Sequence, residues 1–167
     1  MRSGVKSGES KIMSACIEIE RKFLIPRPPA LEGVPSTQLR QGYIATGSTE
    51  VRLRDADGSY TLTCKRGDGL VRREEEIEID ATQFSALWTL TEGQRIDKTR
   101  YRIPQGELLI ELDVYHDSLS PLIVAEVEFK SEAASASFSL PDYFGDEVTE
   151  DKRYKNKTLA LEGIPHG

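Results

Sequence analysis

The chain has 167 residues, 38% of them hydrophobic and 30% charged, and a formal net charge of -6. This suits one domain with a sizeable core, and no apolar run approaches the roughly 20 residues that a bilayer-crossing helix needs. An acidic balance argues against a general grip on nucleic acid backbones, although an acidic protein can still hold a basic cleft.

Met1–Cys16 is polar and lacks the apolar stretch of a signal peptide, so it reads as a leader, with residues 17–167 as a single domain. Cys16–Ile25 then alternates polar and apolar side chains in the manner of a strand. Pro26–Pro35 holds four prolines and reads as a loop. Alternation returns at Glu50–Arg54, Tyr60–Lys65 and Glu74–Ile79, with Asp57-Gly58 as a tight turn and Gly67-Asp68-Gly69 as a looser one. Asp80 is placed to cap a helix over Ala81–Thr91 that has Phe84, Leu87 and Trp88 on one face. Three more strands follow at Lys98–Ile103, Leu108–Tyr115 and Ile123–Lys130. Ser131–Phe138 predicts a short alanine-rich helix, and Asn156–Leu161 a C-terminal one. Antiparallel strands with a few helices predict an α+β domain dominated by one sheet.

Side chains alternate faces along a strand, so each segment sorts into two sets. Glu18, Glu20 and Lys22 share a face, as do Arg52 with Arg54, and Thr61, Thr63 and Lys65. Glu74, Glu76 and Glu78 form another set, followed by Lys98, Arg100 and Arg102, then Glu111 and Asp113, then Glu126, Glu128 and Lys130. For any one strand the plain explanation is a solvated sheet face. The whole set argues otherwise, because strand after strand carries ionised groups whose signs are largely segregated. If the sheet closes, they meet across an interior, and a barrel of about eight strands has room for one small ligand. Such an interior suits an anionic chain held by Arg and Lys, and divalent cations held by carboxylates. With only His116 and His166, a His-rich zinc site is disfavoured and metal must rest on oxygen.

Glu18-Ile19-Glu20-Arg21-Lys22-Phe23 resembles the N-terminal Glu-x-Glu-x-Lys signature of the CYTH family of triphosphate tunnel metalloenzymes. Val51-Arg52-Leu53-Arg54, Thr61-Leu62-Thr63-Cys64-Lys65, Glu76-Ile77-Glu78, Lys98-Thr99-Arg100-Tyr101, Glu111-Leu112-Asp113 and Glu126-Val127-Glu128 follow in the family's order. Leu39-Arg40-Gln41-Gly42-Tyr43 and Glu147–Tyr154 resemble the short bacterial, tripolyphosphatase-like branch. The resemblance implies an eight-stranded antiparallel β-barrel, a triphosphate tunnel with a few outer helices.

By that resemblance Lys22, Arg52, Arg54, Lys65, Lys98 and Arg100 hold phosphate oxygens. Arginine forks match paired phosphate oxygens, which gives the assignment an independent physical warrant. Lys152 is assigned as a further phosphate contact, with Arg153 as its alternative. Glu18, Glu20, Asp113, Glu126 and Glu128 are the implied metal ligands, for two ions of Mg²⁺ or Mn²⁺. Glu76, Glu78 and Glu111 read as groups that orient the arginines. Tyr43 is the implied catalytic residue, positioning or deprotonating water, and as a base it needs neighbouring cations to lower its pKa. The expected activity is metal-dependent hydrolysis of inorganic tripolyphosphate to diphosphate and phosphate. Alternatives on the same scaffold are a class IV-type adenylate cyclase, a nucleoside or thiamine triphosphatase, and a non-catalytic polyphosphate-binding module. The expected partner is a small-molecule triphosphate, with no nucleic acid and no membrane, and a homodimer stays open. Two cysteines are too few for a disulfide framework and predict a reducing, cytoplasmic setting.

Overall fold

A computed structural model describes residues 19–67 and 72–167 of the chain. Eight strands form one sheet: β1 Ile19–Leu24, β2 Ser36–Thr46, β3 Thr49–Ala56, β4 Ser59–Arg66, β5 Arg73–Ile79, β6 Arg95–Gln105, β7 Leu108–Tyr115 and β8 Ile123–Phe129. The hydrogen-bonded order is β1-β8-β7-β6-β2-β3-β4-β5, and all neighbours are antiparallel. The sheet is barrel-like, with no hydrogen-bonded ladder joining β5 to β1 among the described residues. Helices α1 Ala81–Trp88, α2 Glu132–Ala136 and α3 Asn156–Glu162 lie where the sequence predicts them. The leader, Glu18 and most of the Gly67-Asp68-Gly69 turn lie outside the described residues.

Local chemistry explains the elements. Asp57 and Gly58 both adopt left-handed φ angles, 49° and 86°, so the turn twists with its strands and closes the β3–β4 hairpin. Asp80 caps α1 reciprocally: its carboxylate accepts from the Gln83 N–H, and the Gln83 side chain accepts from the Asp80 N–H. β2 is the strand that alternation does not reveal. Gln41, Gly42 and Tyr43 are buried in succession, so both faces of its centre are covered and no polar–apolar rhythm is written into it.

The apolar faces point outward and are covered, as the charged inner face requires. Phe23, Ile110, Leu112, Ala125, Val127 and Phe129 form one outer cluster, capped by Ala134 of α2 and by Phe138 and Phe144. On the other half of the sheet, Phe84 of α1 packs 4.8 Å from Tyr60 and 5.0 Å from Trp88, ring centre to ring centre. Gly42 lies directly beneath this helix. A Cβ added there meets Thr91 Cβ at 2.7 Å and Trp88 Cζ3 at 2.8 Å. Gly42→Ala is therefore expected to cost about 1–3 kcal/mol through overpacking. Thermal denaturation checks this, since an unchanged midpoint would mean that α1 does not press on β2.

One end of the concave face is apolar. Ile96, Tyr115 and Val124 meet Leu159 of α3 there, with Leu24, Ala160 and Ile164 around them. The C-terminal helix thus closes that end of the cavity.

Candidate active site

Residues directly opposite each other on paired strands share a face. The registers therefore place the charged sets together without reference to function. Glu20 stands opposite Glu128, and Lys22 opposite Glu126. Glu126 is in turn opposite Glu111, Glu111 opposite Arg102, and Asp113 opposite Arg100. Across the other half, Gln41 is opposite Arg54 and Tyr43 opposite Arg52. Arg52 then faces Thr63, and Thr63 faces Glu76. Every described site residue predicted on a strand falls on this one concave face.

The centre of the face is a buried ion cluster. The Lys98 ammonium lies 2.7 Å from Asp113 Oδ2, and neither side chain is more than 1% exposed. Arg100 donates to both oxygens of the same carboxylate, at 2.7 and 2.8 Å, and also pairs with Glu111. Burial alone raises the Asp113 pKa; Lys98 and Arg100 together outweigh it and hold the carboxyl below its ordinary range. Burial lowers the Lys98 pKa against the pull of Asp113. Asp113 thus accepts three hydrogen bonds from two cations. That use competes with the metal-ligand role implied by resemblance.

Towards β1 the sign changes. Lys22 Nζ sits 3.3 Å from Glu126 Oε1 and donates to the Tyr154 carbonyl at 3.2 Å. Glu20 keeps contact with solvent on its edge strand, yet the atoms around it desolvate it in part. That burial raises its pKa first, and the charges of Glu126 and Glu128 raise it further, while Lys22 and Arg100 oppose them. Facing carboxylates that disfavour each other's charge are suited to a hard divalent cation, and oxygen donors alone fit Mg²⁺ or Mn²⁺. Among the described residues, no three His, Cys, Asp or Glu side chains already converge on one point. Glu18, the remaining predicted ligand, lies outside them.

The β2–β4 side carries cations and a polar chain. Arg54 donates through Nε and Nη2 to Gln41 Oε1, at 3.1 and 3.0 Å. Gln41 Nε2 donates to the Tyr43 hydroxyl at 2.7 Å. Burial raises the Tyr43 pKa, outweighing the Gln41 bond and the nearby Arg52 and Arg54 charges that act to lower it. Tyr43 is accordingly a neutral hydroxyl, which favours positioning water over deprotonating it. Arg52 Nε is buried with no hydrogen-bond partner among the described residues, its guanidinium reaching only to 4.0 Å from Glu76. A buried guanidinium N–H left unpaired is costly and suits an incoming oxygen anion. Glu76 accepts from Thr63 at 2.7 Å, and Lys65 lies 3.8 Å from Glu74.

Of the C-terminal pair, Arg153 is held by Asp151 at 2.6 Å on the exterior. Lys152 is exposed on the 3₁₀ turn Lys152–Tyr154, and no ion pair or hydrogen bond among the described residues ties its side chain to the concave face. Sequence reasoning missed Gln41 and Asn156. Asn156 Oδ1 accepts from the Tyr115 hydroxyl at 2.7 Å and lies 3.5 Å from the Lys98 ammonium, which ties α3 to the ion cluster. Gln41 had a findable signal, two positions before Tyr43 on one strand face; Asn156 had none.

The CYTH domain family model matches residues 16–160. An inorganic triphosphatase of Nitrosomonas europaea is 55% identical over 150 residues, covering 86% of this chain and 97% of that protein. An inorganic triphosphatase of Acetivibrio thermocellus is 33% identical over 146 residues, with 86% and 92% covered. A crystal structure of an inorganic triphosphatase superposes with a TM-score of 0.75 at 50% identity, over 89% of this chain and 97% of that one.

Proposed function

The chain belongs to the CYTH domain family, and from that membership we propose that it is a hydrolase of inorganic triphosphate, releasing diphosphate and phosphate. The observation that carries this reading is the concave face itself. Arg52, Arg54, Lys98 and Arg100 share it with Glu20, Glu126 and Glu128, so a polyanion and a divalent cation find their complements side by side.

In this reading the guanidinium and ammonium groups of Lys22, Arg52, Arg54, Lys65, Lys98 and Arg100 bind phosphate oxygens. Asp113 keeps Lys98 and Arg100 aimed inward. Arg52 Nε gains a partner that it lacks among the described residues. Glu20, Glu126 and Glu128, with Glu18, would hold Mg²⁺ or Mn²⁺. When bound, such an ion offsets phosphate charge and makes water more acidic. The Tyr43 hydroxyl donates a hydrogen bond towards the reacting oxygens. Positioning and electrostatics supply most of the catalysis, since phosphoryl transfer asks little covalent chemistry of a protein. A free Cys64 thiol accords with a reducing cytoplasm, and among the described residues no helix is long and apolar enough to cross a membrane.

A phosphate-release panel tests the proposal. Tripolyphosphate, ATP, thiamine triphosphate and long-chain polyphosphate are each assayed with Mg²⁺, Mn²⁺ or excess chelator, and cyclic AMP is measured with ATP. Tripolyphosphate is expected to turn over fastest, with release stopping in chelator and returning with added ion. Turnover undiminished by chelator would overturn the metal-dependent reading. Faster release from ATP or thiamine triphosphate, or cyclic AMP formation, would reassign the substrate.

A further inference from the structure

Gln41 is 0% exposed, carries no charge and belongs to none of the charged sets, yet it joins two residues of the site. Its bonding directions are fixed by chemistry. A guanidinium can only donate, so the Gln41 atom facing Arg54 is the carbonyl oxygen Oε1. The atom facing Tyr43 is then the amide nitrogen Nε2, which can only donate. The Tyr43 oxygen therefore accepts from Gln41, and its own proton must point elsewhere.

We infer that Gln41 is a positioning residue that sets the direction of the Tyr43 hydroxyl, so that Tyr43 presents its proton rather than a lone pair to the reacting phosphate or water. This deepens the proposed hydrolase function and rests on the reading of Tyr43 as a residue of that site. Arg54 is the other end of the device. A phosphate oxygen that draws on Arg54 acts, through the rigid Gln41 amide, on the group that aims the Tyr43 hydroxyl. Grip on the substrate and orientation of the hydroxyl are thereby linked across one buried side chain.

Two substitutions separate this role from simple packing. Gln41→Glu keeps the shape and keeps a charged acceptor for Arg54, whose proximity holds the new carboxyl ionised. A carboxylate cannot donate, so Tyr43 must turn its proton towards residue 41 and away from the tunnel. Gln41→Met also keeps the length, but it releases both partners and leaves the Tyr43 hydroxyl free to rotate. The expected order of kcat on tripolyphosphate is Gln above Met above Glu. The Glu variant should lose about 10²–10³-fold, the scale of one lost hydrogen-bond donor, and match Tyr43→Phe. Its KM should rise as well, because the new carboxylate competes with phosphate for Arg54, so the misdirected Tyr43 proton is read in kcat at saturating tripolyphosphate. Adding Tyr43→Phe to Gln41→Glu should lower kcat no further.

A merely structural role predicts the reverse order, Glu above Met, and that result overturns the inference. So does an additive loss in the Gln41→Glu/Tyr43→Phe double variant. Full activity of Tyr43→Phe alone would instead remove Tyr43 from the site, a distinct failure that takes the underlying reading with it. Should Gln41→Glu fail to fold, Gln41→Met with and without Tyr43→Phe decides the matter, since loss beyond that of Tyr43→Phe again overturns it.

Discussion

Replacing Glu126 and Glu128 together by glutamine is expected to lower tripolyphosphate turnover about 10³–10⁴-fold and to leave the fold intact. Both changes keep side-chain volume and remove charge. Glu128 faces Glu20 across the β1–β8 ladder, and Glu126 faces Lys22. Neutral amides relieve the repulsion that raises the Glu20 pKa, so this part of the sheet loses a source of strain. Lys22 keeps the Tyr154 carbonyl, and Arg100 keeps Asp113, so neither cation is stranded. Affinity for a divalent cation is what the chain loses. Charge stabilisation by a bound ion is worth several kcal/mol in the transition state, and about 4–6 kcal/mol corresponds to the stated loss. Phosphate release at saturating Mg²⁺, beside a thermal melt, checks both halves. Turnover near the parent's would move the ion to other ligands.

Asp113→Asn is expected to be the most destabilising single change in the site, costing about 3–5 kcal/mol even with no divalent ion present. Removing one member of a buried ion cluster strands the others without compensation. Here the group left worst off is Lys98, 1% exposed, while Arg100, 17% exposed, loses two hydrogen bonds and is left with Glu111 and Glu126. In a chain of this size the melting midpoint should fall by roughly 10 °C. The effect depends on pH in a definite sense. The folded-state pKa of Asp113 lies below its unfolded value, so its contribution is present in full above about pH 4 and disappears as pH falls through the folded value. Parent and variant should therefore converge in stability as pH falls through that folded value. Melting measured in chelator from pH 7 downwards checks this. A midpoint within a degree or two of the parent's at pH 7 would show that Asp113 does not anchor the cations and would return it to the metal ligands.

The concave face was legible in the sequence because it breaks the usual rule for sheets. Strands such as Lys98–Ile103 and Glu74–Ile79 put ionised groups on every second position, and alternation detects that directly. β2 escaped the same test because its centre is buried on both faces, with Gln41 and Tyr43 inward and Gly42 beneath α1. Asp113 marks a second boundary. Glu111 and Asp113 have the same spacing as Glu126 and Glu128, and nothing in that spacing tells which carboxylate is paired with cations of its own chain. The difference is tertiary: Asp113 stands opposite Arg100, whereas Glu128 stands opposite Glu20. Asn156 was invisible for a related reason, since its value lies in where α3 docks and not in the helix that carries it.

The pairing of β1 with β8 also sets a timetable. Strands β2 to β5 are joined by hairpins between near neighbours in sequence, and β6 then adds to β2. Among the described residues the ladder of β1 is with β8, and its other edge bonds to residues 145–148, so Glu20 meets Glu128 after most of the polypeptide has been made. Pairing over such a separation carries the largest loop-closure cost and comes late. A chain emerging from its N-terminus therefore gathers the arginines of β3 with Lys98 and Arg100 of β6 while β1 still waits for its partner. The cationic half of the cavity thus takes shape before the half in which Glu20 meets Glu128, and the full set of charged groups comes together last.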